Sequence, residues 1–232
     1  MSAVPAPARP CGAPPGREGW TLVLPVKGGP AAKSRLRPPP GVDREDLALA
    51  IALDAVAAVA RCPAVSAVVV VTHDDRVVRS CAGAGPRVAV LREPAPGRGL
   101  AAAVADGVAV AGAGRVAVLL PDLPALRPHD LTAALDAAGR ALHAPQPPPM
   151  VFVADADGTG TVLLASRSAR ELRPAFGPAS AAAHAALGAL ALDVAAPRLR
   201  RDVDTAEALQ EAVAAGVGPR TADVLAGAAS RV

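Results

Sequence analysis

The chain has 232 residues and a formal net charge of +3, with 52% hydrophobic and 19% charged residues. This composition excludes a chain that is disordered throughout and provides enough apolar side chains for one large domain. Aromatic residues make up 1% of the chain, which excludes the base-stacking surfaces of single-strand nucleic-acid binders, and the mild charge excludes the dense basic stripe of a duplex binder.

The N-terminal segment 1–18 is small, Pro-rich and without hydrophobic periodicity, so the sequence predicts a disordered tail there and one domain over 19–232. The segment lacks the pattern of a secretory signal, and no uninterrupted apolar run reaches the length of a membrane span. Cys11, Cys62 and Cys81 are odd in number and show no metal-ligand spacing, which favours a reducing compartment. We therefore expect a cytoplasmic protein that contacts neither membrane nor nucleic acid.

From Trp20 onward, short β-branched runs alternate with Ala-rich stretches of helical character. The strands that this alternation predicts are Thr21–Val26, Ser66–Thr72, Arg87–Leu91, Arg115–Leu120, Met150–Ala154 and Thr161–Ala165. The predicted helices are Asp43–Arg61, Asp74–Ala82, Gly99–Ala111, Pro128–His143 and Thr205–Ala215, with an Ala-rich helix from Ser180 and a short one after Arg220.

Continuous apolar runs, such as the valines at 68–71, are typical of strands in a parallel sheet that is covered on both faces. Their alternation with helices predicts a doubly wound α/β fold with a mainly parallel sheet and right-handed crossovers. Ligands of such folds bind beyond the carboxyl ends of the strands. Polar residues that follow strands are therefore the candidates for chemistry.

The first such segment runs from Pro25 to Leu36 and carries Lys27 and Lys33. These two are the only lysines among 24 basic residues, so we interpret them as positions where arginine does not serve. A compact ammonium group fits closely around phosphate oxygens, and a glycine-bearing loop exposes backbone N–H groups. The segment is a candidate polyphosphate cradle, although it is no Walker A motif and a basic surface loop has the same composition.

Asp122 follows the strand at 115–120, in the turn Pro121-Asp122-Leu123-Pro124. A single carboxylate at this place is suited to hold a magnesium ion that also binds nucleotide phosphates. The alternative is an N-cap for the helix that begins near Arg127, but Asp122 lies too far before that helix for a simple cap. We therefore favour a metal ligand.

Asp202 and Asp204 are separated by one residue, so in an extended segment they project from the same side. Two such carboxylates repel each other unless a cation lies between them. Thr205 can cap the following helix, so one aspartate can be structural while the other ligates metal. Together with Asp122, the pair would form a magnesium-type site of three hard carboxylate ligands.

A fourth polar segment, Gly158-Thr159-Gly160-Thr161, offers backbone amides and two hydroxyls before a strand. Gly177 and Ser180 stand at the start of an Ala-rich helix, whose N-terminal amides favour an anion. The two segments are candidates for holding a small phosphorylated acid between them. His184 lies one turn after Ser180 and either touches that ligand or is simply packed.

Asp54 interrupts the apolar stripe of the Asp43–Arg61 helix. A satisfied buried carboxylate or a contact with another subunit is a better interpretation of such a residue than catalysis. The chain contains no nucleophile elbow, zinc-protease motif or dinucleotide fingerprint, so those enzyme classes lose their usual support.

In order and spacing, these motifs resemble the guanylyltransferases of coenzyme F420 biosynthesis, which couple GTP to phosphoenolpyruvate or 2-phospho-L-lactate. The resemblance extends from about Leu22 to Thr221. Each motif is common among α/β nucleotidyltransferases, but their combination is particular to this family. The motifs that carry it are Val26-Lys27, Ala32-Lys33-Ser34-Arg35-Leu36, Asp122-Leu123-Pro124, Gly158-Thr159-Gly160-Thr161, Phe176-Gly177 through Ser180 and His184, and Asp202-Val203-Asp204-Thr205.

The resemblance implies a single domain of the nucleotidyltransferase, glycosyltransferase-A-like type, with Mg²⁺ as cofactor. It also implies a role for each matching residue. The metal ligands would be Asp122, Asp202 and Asp204, the contacts with the phosphorylated acid Thr161, Gly177 and Ser180, and the residues of the nucleotide-phosphate loop Lys27 and Lys33.

One departure lies on the nucleotide side, where the family usually has Gly-Leu-Asn after its third strand. This chain has Gly99-Leu100-Ala101 and so lacks an amide side chain that bears on the base or ribose contact.

The leading hypothesis is therefore GTP-dependent guanylyl transfer to phosphoenolpyruvate or 2-phospho-L-lactate, with hand-over of the product to the downstream transferase of the pathway. A homo-oligomer is compatible with it. A related nucleotidyltransferase acting on a sugar phosphate or molybdopterin is the second hypothesis, and a non-catalytic nucleotide-binding protein is the third.

Overall fold

The computed structural model describes residues 19–28, 36–95 and 97–229. The predicted tail 1–18 and Lys33 lie outside the described residues. The strands are β1 (Trp20–Pro25), β2 (Val65–Thr72), β3 (Val88–Arg92), β4 (Val116–Leu119), β5 (Val151–Ala154), β6 (Thr161–Ser166) and β7 (Leu190–Ala191). The helices are α1 (Arg44–Ala60), α2 (Asp75–Cys81), α3 (Gly99–Val110), α4 (Pro128–Leu142), α5 (Ser180–Ala186), α6 (Pro197–Arg200), α7 (Ala206–Ala215) and α8 (Pro219–Ala229).

The described strands form one mixed seven-stranded sheet in the order β3-β2-β1-β4-β6-β5-β7. At its centre, β1 pairs in parallel with β2 (Leu22 opposite Val68) and with β4 (Leu22 opposite Ala117). These strands are buried apolar runs because helices cover both faces of the sheet. The predicted mainly parallel, doubly wound α/β fold is confirmed.

Strand β6 runs antiparallel to both of its neighbours, β4 and β5. The sequence carries no signal for this direction, because buried strands of either orientation have the same apolar composition. Strand β6 enters through the short connection 155–160, which lets it return beside β5 as a hairpin. Two short elements, β7 and α6, were not predicted, since neither is long enough to show a period.

The two faces of the sheet carry separate hydrophobic clusters. Leu22 and Leu24 point to the face covered by α1, α2 and α4, while Val23 points to the face covered by α3 and α5. Helix α3 lies close to the sheet because Gly107 faces it: a Cβ at this position would lie 2.4 Å from Cγ1 of Val23. None of the described helices combines the length and the apolar character that are needed to cross a bilayer.

Asp54 is a buried residue of α1, and its carboxylate accepts hydrogen bonds from the start of α8. The backbone N–H of Thr221 donates to Oδ2 at 2.8 Å, and that of Arg220 donates to Oδ1 at 3.2 Å. At Gly218 an added Cβ would lie 2.4 Å from the Asp54 carboxyl carbon, so a glycine is required for this approach. Of the two interpretations of Asp54, the satisfied buried carboxylate is confirmed.

Candidate active site

The candidate site lies at the carboxyl ends of β1 and β4, at the centre of the sheet. These two strands are neighbours, but the sheet extends from β1 to β2 and β3 on one side and from β4 to β6 and β5 on the other. Such a reversal of strand order opens a crevice for ligands. Lys27 follows β1 and is exposed, and Asp122 follows β4 and is half-exposed, so both lie at this edge.

The turn that carries Asp122 is fixed by the buried side chains that follow it. Leu123 and Ala125 are almost fully buried, and α4 begins only at Pro128. At the start of α4, the Asp130 carboxylate accepts a hydrogen bond from the backbone N–H of Arg127 at 3.3 Å. The N-cap interpretation of Asp122 is therefore wrong, because the helix begins farther along and uses Asp130.

The segment with Asp202 and Asp204 contacts the Asp122 turn directly. The backbone N–H of Val203 donates to the carbonyl oxygen of Asp122 at 3.0 Å, and the Val203 side chain is fully buried. Asp202 is half-buried and Asp204 exposed on either side of it. The structure thus brings together two segments that are distant in sequence, each carrying carboxylates.

Thr205 caps α7, where its hydroxyl accepts a hydrogen bond from the backbone N–H of Ala208 at 3.2 Å. This confirms the prediction that Thr205 forms the helix cap. The residues before Asp202 are anchored to other elements: Arg200 donates to the carbonyls of Ala154 and Asp155, at 3.1 and 3.0 Å, and Arg201 pairs with a glutamate of α7, Glu211. The carboxylate segment is therefore held on both sides.

Within the described ranges, no group of three or more His, Cys, Asp and Glu side chains is arranged to hold a metal ion by itself. Magnesium in nucleotide sites needs less than this, because it is usually held by one or two carboxylates, water and the substrate phosphates. The Asp122 turn and the Asp202–Asp204 segment, joined through Val203, supply hard oxygen ligands of that kind. The residues present therefore fit a divalent cation that is bound together with the nucleotide.

The predicted acceptor residues lie on the other side of the crevice. Thr161 is the first residue of β6, Ser180 is the first residue of α5, and Gly177 precedes α5. The backbone N–H of Ala181 donates to the carbonyl of Thr159 at 3.1 Å, so the two predicted acceptor segments are in contact. Thr161 and Ser180 are buried, whereas Gly177 is exposed with φ of +152°. The structure thus brings the predicted segments together, and of the three predicted contact residues Gly177 is the exposed one.

His184 is fully buried between these segments. Its Nδ1 lies 2.9 Å from the Thr161 hydroxyl, and its Nε2 accepts a hydrogen bond from the backbone N–H of Ala175 at 2.9 Å. The ring of Phe176 packs edge-on against it, with ring centroids 5.1 Å apart. Burial lowers the pKa of His184, so the neutral imidazole is favoured. Of the two interpretations of this residue, packing is the one that the structure supports.

The backbone amides of the Gly158–Thr161 segment are already used. The Asp155 carboxylate accepts hydrogen bonds from the N–H groups of Thr159, at 2.9 Å, and Gly160, at 2.7 Å. A Cβ at Gly160 would lie 2.3 Å from Oδ2 of Asp155, which explains the glycine. The expectation that these amides are available to an anion is therefore wrong for Thr159 and Gly160, because a neighbouring carboxylate occupies them.

A cleft of about 170 Å³ lies over the carboxyl ends of β1 and β2, on the opposite side from Thr161. Its lining combines apolar side chains with a few polar groups and includes Pro25, Lys27, Val71, His73, Glu93, Arg98, Gly99, Leu100 and Ala103. Ala101 is not part of this lining and is exposed on the outer side of α3. The missing amide at Ala101 therefore does not border the cleft.

His73 and Glu93 were not among the predicted site residues. Both follow strands, β2 and β3, so the rule that selected Asp122 also applies to them. The sequence signal was weak because no spacing pattern links either residue to a second ligand or catalytic group.

Comparison with known proteins shows which proteins this chain is similar to. A family model described as "MobA-like NTP transferase domain" matches residues 49–198. A phosphoenolpyruvate guanylyltransferase from Salinispora arenicola is 53% identical over 88% of this chain and 92% of its own length. Among solved structures, a nucleotidyl transferase from Methanothermobacter superposes with a TM-score of 0.59 at 18% identity, covering 83% of this chain and 95% of its own.

A Mycobacterium tuberculosis protein, Rv0371c, solved in complex with manganese, has a TM-score of 0.51 at 22% identity and covers 86% of this chain and 100% of its own. At these identities the two solved structures establish the fold, while the family model and the closer relative establish the family. The chain belongs to the MobA-like NTP transferases and, among them, to the phosphoenolpyruvate guanylyltransferase family of nucleotidyltransferases.

Proposed function

We propose that this chain transfers the guanylyl group of GTP to phosphoenolpyruvate and releases pyrophosphate, as a step of coenzyme F420 biosynthesis. The activity that names the Salinispora relative supports the substrates. The observation that carries the proposal is the hydrogen bond from the Val203 N–H to the Asp122 carbonyl, because it joins both carboxylate segments at the centre of the crevice.

The layout of the crevice suits two phosphorylated substrates. The cleft over β1 and β2 lies on one side of Asp122, and Thr161 with the start of α5 lies on the other. A nucleoside in the cleft would direct its phosphates past Lys27 toward Asp122. A phosphorylated acid near Thr161 would meet it from the opposite side.

In this reaction, a phosphate oxygen of the acid attacks the α-phosphorus of GTP. The bond from the α-phosphorus to the oxygen bridging to the β-phosphorus breaks, and that oxygen leaves with the electron pair as part of pyrophosphate. The attacking phosphate is already an anion near neutral pH, so no protein group has to remove a proton. The task of the protein is to align the two substrates and to reduce the repulsion between them.

Asp122, together with Asp202 or Asp204, would hold a divalent cation, which we propose is Mg²⁺. When bound, such a cation neutralises phosphate charge and favours an in-line displacement. The manganese complex of Rv0371c shows that a protein of this fold has been crystallised with a divalent metal. The contribution of this chain would be to hold these carboxylates at the crevice, where they could share a cation with the substrate phosphates.

We propose that Lys27 binds the triphosphate; its exposure at the end of β1 and its place in the cleft lining support this role. Its ammonium group would stabilise the charge that develops on the departing pyrophosphate. We propose the same role for Lys33, which follows Lys27 in the sequence.

For the acceptor, we propose contacts with Thr161, Gly177 and Ser180. The buried Thr161 and Ser180 would present only a hydroxyl or amide edge to the acid, while Gly177 is open to it. The cytoplasm as compartment and transfer of the product to the next enzyme of the pathway follow from the proposal as expectations.

The test is pyrophosphate release by the purified full chain with Mg²⁺. GTP, ATP and CTP are each combined with phosphoenolpyruvate, 2-phospho-L-lactate, a sugar 1-phosphate and molybdopterin, and products are identified by mass spectrometry. We expect release with GTP and phosphoenolpyruvate and a product containing both guanosine and the enol acid. Release only with a sugar phosphate or molybdopterin would contradict the proposal, and nucleotide binding without release on any acceptor would indicate a non-catalytic protein.

A further inference from the structure

We infer that Glu93 selects guanine by accepting hydrogen bonds from the Watson–Crick edge of the base in the cleft over β1 and β2. The inference rests on the proposed function, because it assigns the cleft to the nucleobase of the nucleotide substrate.

The walls of the cleft suit a flat aromatic ring. Pro25, Val71, Leu100 and Ala103 supply apolar surface from β1, β2 and α3. The charged and titratable side chains of the lining are few: Lys27 follows β1, His73 follows β2, Glu93 follows β3 and Arg98 precedes α3. Ligand sites of this kind are mostly apolar, with a small number of polar groups that fix orientation.

Glu93 is unusual because its carboxylate borders the cleft and yet is largely buried, with 8% of the side chain exposed. Its position is fixed by its own backbone N–H, which donates to the Thr72 carbonyl at 2.8 Å. Among the described residues, the nearest cationic atom recorded for the carboxylate is Nδ1 of His73 at 3.6 Å, which is too long for a hydrogen bond. The carboxylate therefore borders the cleft as a hydrogen-bond acceptor, and a ligand that brings N–H donors there would be favoured.

The start of α3 contributes possible donors to the same cleft, which Gly99 and Leu100 line. Helix α3 begins at Gly99, and its preceding residue, Arg98, makes no side-chain capping hydrogen bond; the Arg98 guanidinium pairs instead with Asp106. The first backbone N–H groups of α3 can therefore donate to a ligand. The cleft thus combines a carboxylate acceptor with backbone donors.

Guanine matches this combination. Its edge presents two adjacent donors, N1–H and the 2-amino group, beside an acceptor, O6. A carboxylate has only acceptor sites, so it can receive both donors, while a helix N–H donates to O6. Adenine presents a bare N1 to the carboxylate and an amino group to the helix, so both contacts would be lost. Ala101, which lies outside the cleft lining, takes no part in this selection.

The experiment compares wild type with Glu93→Gln, and Glu171→Gln is the matched control. Glu171 follows the antiparallel strand β6, so it lies at the opposite edge of the sheet, where it pairs with Arg167. Dissociation constants for GDP, IDP, ADP and 2′-deoxy-GDP are measured by calorimetry, which needs no turnover. IDP lacks only the 2-amino group, and 2′-deoxy-GDP lacks only a ribose hydroxyl.

We expect wild type to bind GDP about 10-fold to 100-fold more tightly than IDP or ADP. In Glu93→Gln the preference for GDP over IDP should fall toward unity, while the ratio of GDP to 2′-deoxy-GDP and the behaviour of Glu171→Gln stay unchanged. Equal binding of GDP, IDP and ADP by wild type would overturn the inference, even if the variant failed to fold. An unchanged preference for GDP over IDP in a folded Glu93→Gln variant would also overturn it. A variant that lost only the preference for GDP over 2′-deoxy-GDP would overturn it too, because Glu93 would then contact the ribose.

The binding experiment tests guanine selection by Glu93 separately from the proposed reaction. If wild type discriminates guanine but releases no pyrophosphate with any acceptor, the inference stands and the proposed reaction fails. If pyrophosphate is released from GTP and the preference in Glu93→Gln is unchanged, the reaction stands and the inference fails.

Discussion

The imidazole of His184 donates a hydrogen bond to the hydroxyl of Thr161. The direction follows from the other ring nitrogen: Nε2 accepts from the backbone N–H of Ala175, so in the neutral ring the proton is on Nδ1, which faces Oγ1 of Thr161 at 2.9 Å. The hydroxyl proton of Thr161 is then directed to another acceptor. In the proposed reaction, an oxygen of the phosphorylated acid would be that acceptor.

The buried neutral state of His184 predicts a pH dependence of stability. Its folded pKa lies below its ordinary value of 6.5, because burial disfavours the imidazolium. Below about pH 6.5 the unfolded chain therefore takes up a proton that the folded chain does not, and this contribution to stability is lost as pH falls from there to the folded pKa. We expect His184→Asn, whose amide can still donate to Thr161, to lose up to about 1.4 kcal/mol per pH unit of that dependence.

The measurement is urea unfolding of wild type and His184→Asn between about pH 5 and 7. His143→Asn serves as the control because His143 is exposed. Identical pH dependence in wild type and His184→Asn would contradict the assignment of a buried neutral imidazole.

The contacts of Asp155 predict that its removal weakens binding of the phosphorylated acid but not binding of GTP. Removal of its carboxylate in Asp155→Ala leaves the N–H groups of Thr159 and Gly160 without their partner and loosens the entry to β6. We expect the KM for the phosphorylated acid to rise about 10-fold or more, while the KM for GTP changes little, since the nucleotide cleft lies on the other side of Asp122. Asp157→Ala, in the same loop but exposed, is the control. Steady-state kinetics that showed equal rises in both KM values would argue against this division.

The contacts of Asp54 predict that its removal lowers the free energy of unfolding without removing a group that takes part in the reaction. In Asp54→Ala, the N–H groups of Arg220 and Thr221 lose their acceptor at a buried helix start. We expect about 2–4 kcal/mol less free energy of unfolding and a Tm lower by about 5–15 °C. Calorimetry measures this directly, with the exposed α4 residue Asp136 changed to Ala for comparison. A Tm equal to that of wild type would mean that the hydrogen bonds contribute no net stability.

Much of the fold could be predicted from local patterns. Every strand and helix predicted with both ends lies within one residue of its observed bounds, because alternating apolar runs and caps such as Asp43 and Thr205 are encoded locally. The same reasoning selected Asp122 as a candidate, since a polar residue after a buried strand stands out, and its role stays a prediction. It could not find the direction of β6, which depends on pairing with β4 rather than on its own composition.

The partners of individual polar groups were less predictable. Asp155 binds amides that the sequence left open, and Asp54 binds a helix start that lies far from it along the chain. Such contacts depend on tertiary approach and leave no periodic signal. The contact between Val203 and Asp122 is of the same kind, although the types of the residues around it were informative.

We propose that the carboxylates around the Val203–Asp122 contact hold a divalent cation that lets two phosphorylated substrates meet. The most direct measurement is the rate of pyrophosphate release from GTP and phosphoenolpyruvate over a Mg²⁺ titration, for wild type, Asp122→Asn and the exposed control Asp136→Asn. We predict that release requires Mg²⁺, that Asp122→Asn lowers it about 100-fold to 1,000-fold with an unchanged Tm, and that Asp136→Asn behaves as wild type. Near-normal release by Asp122→Asn at the same Mg²⁺ concentration would contradict the account.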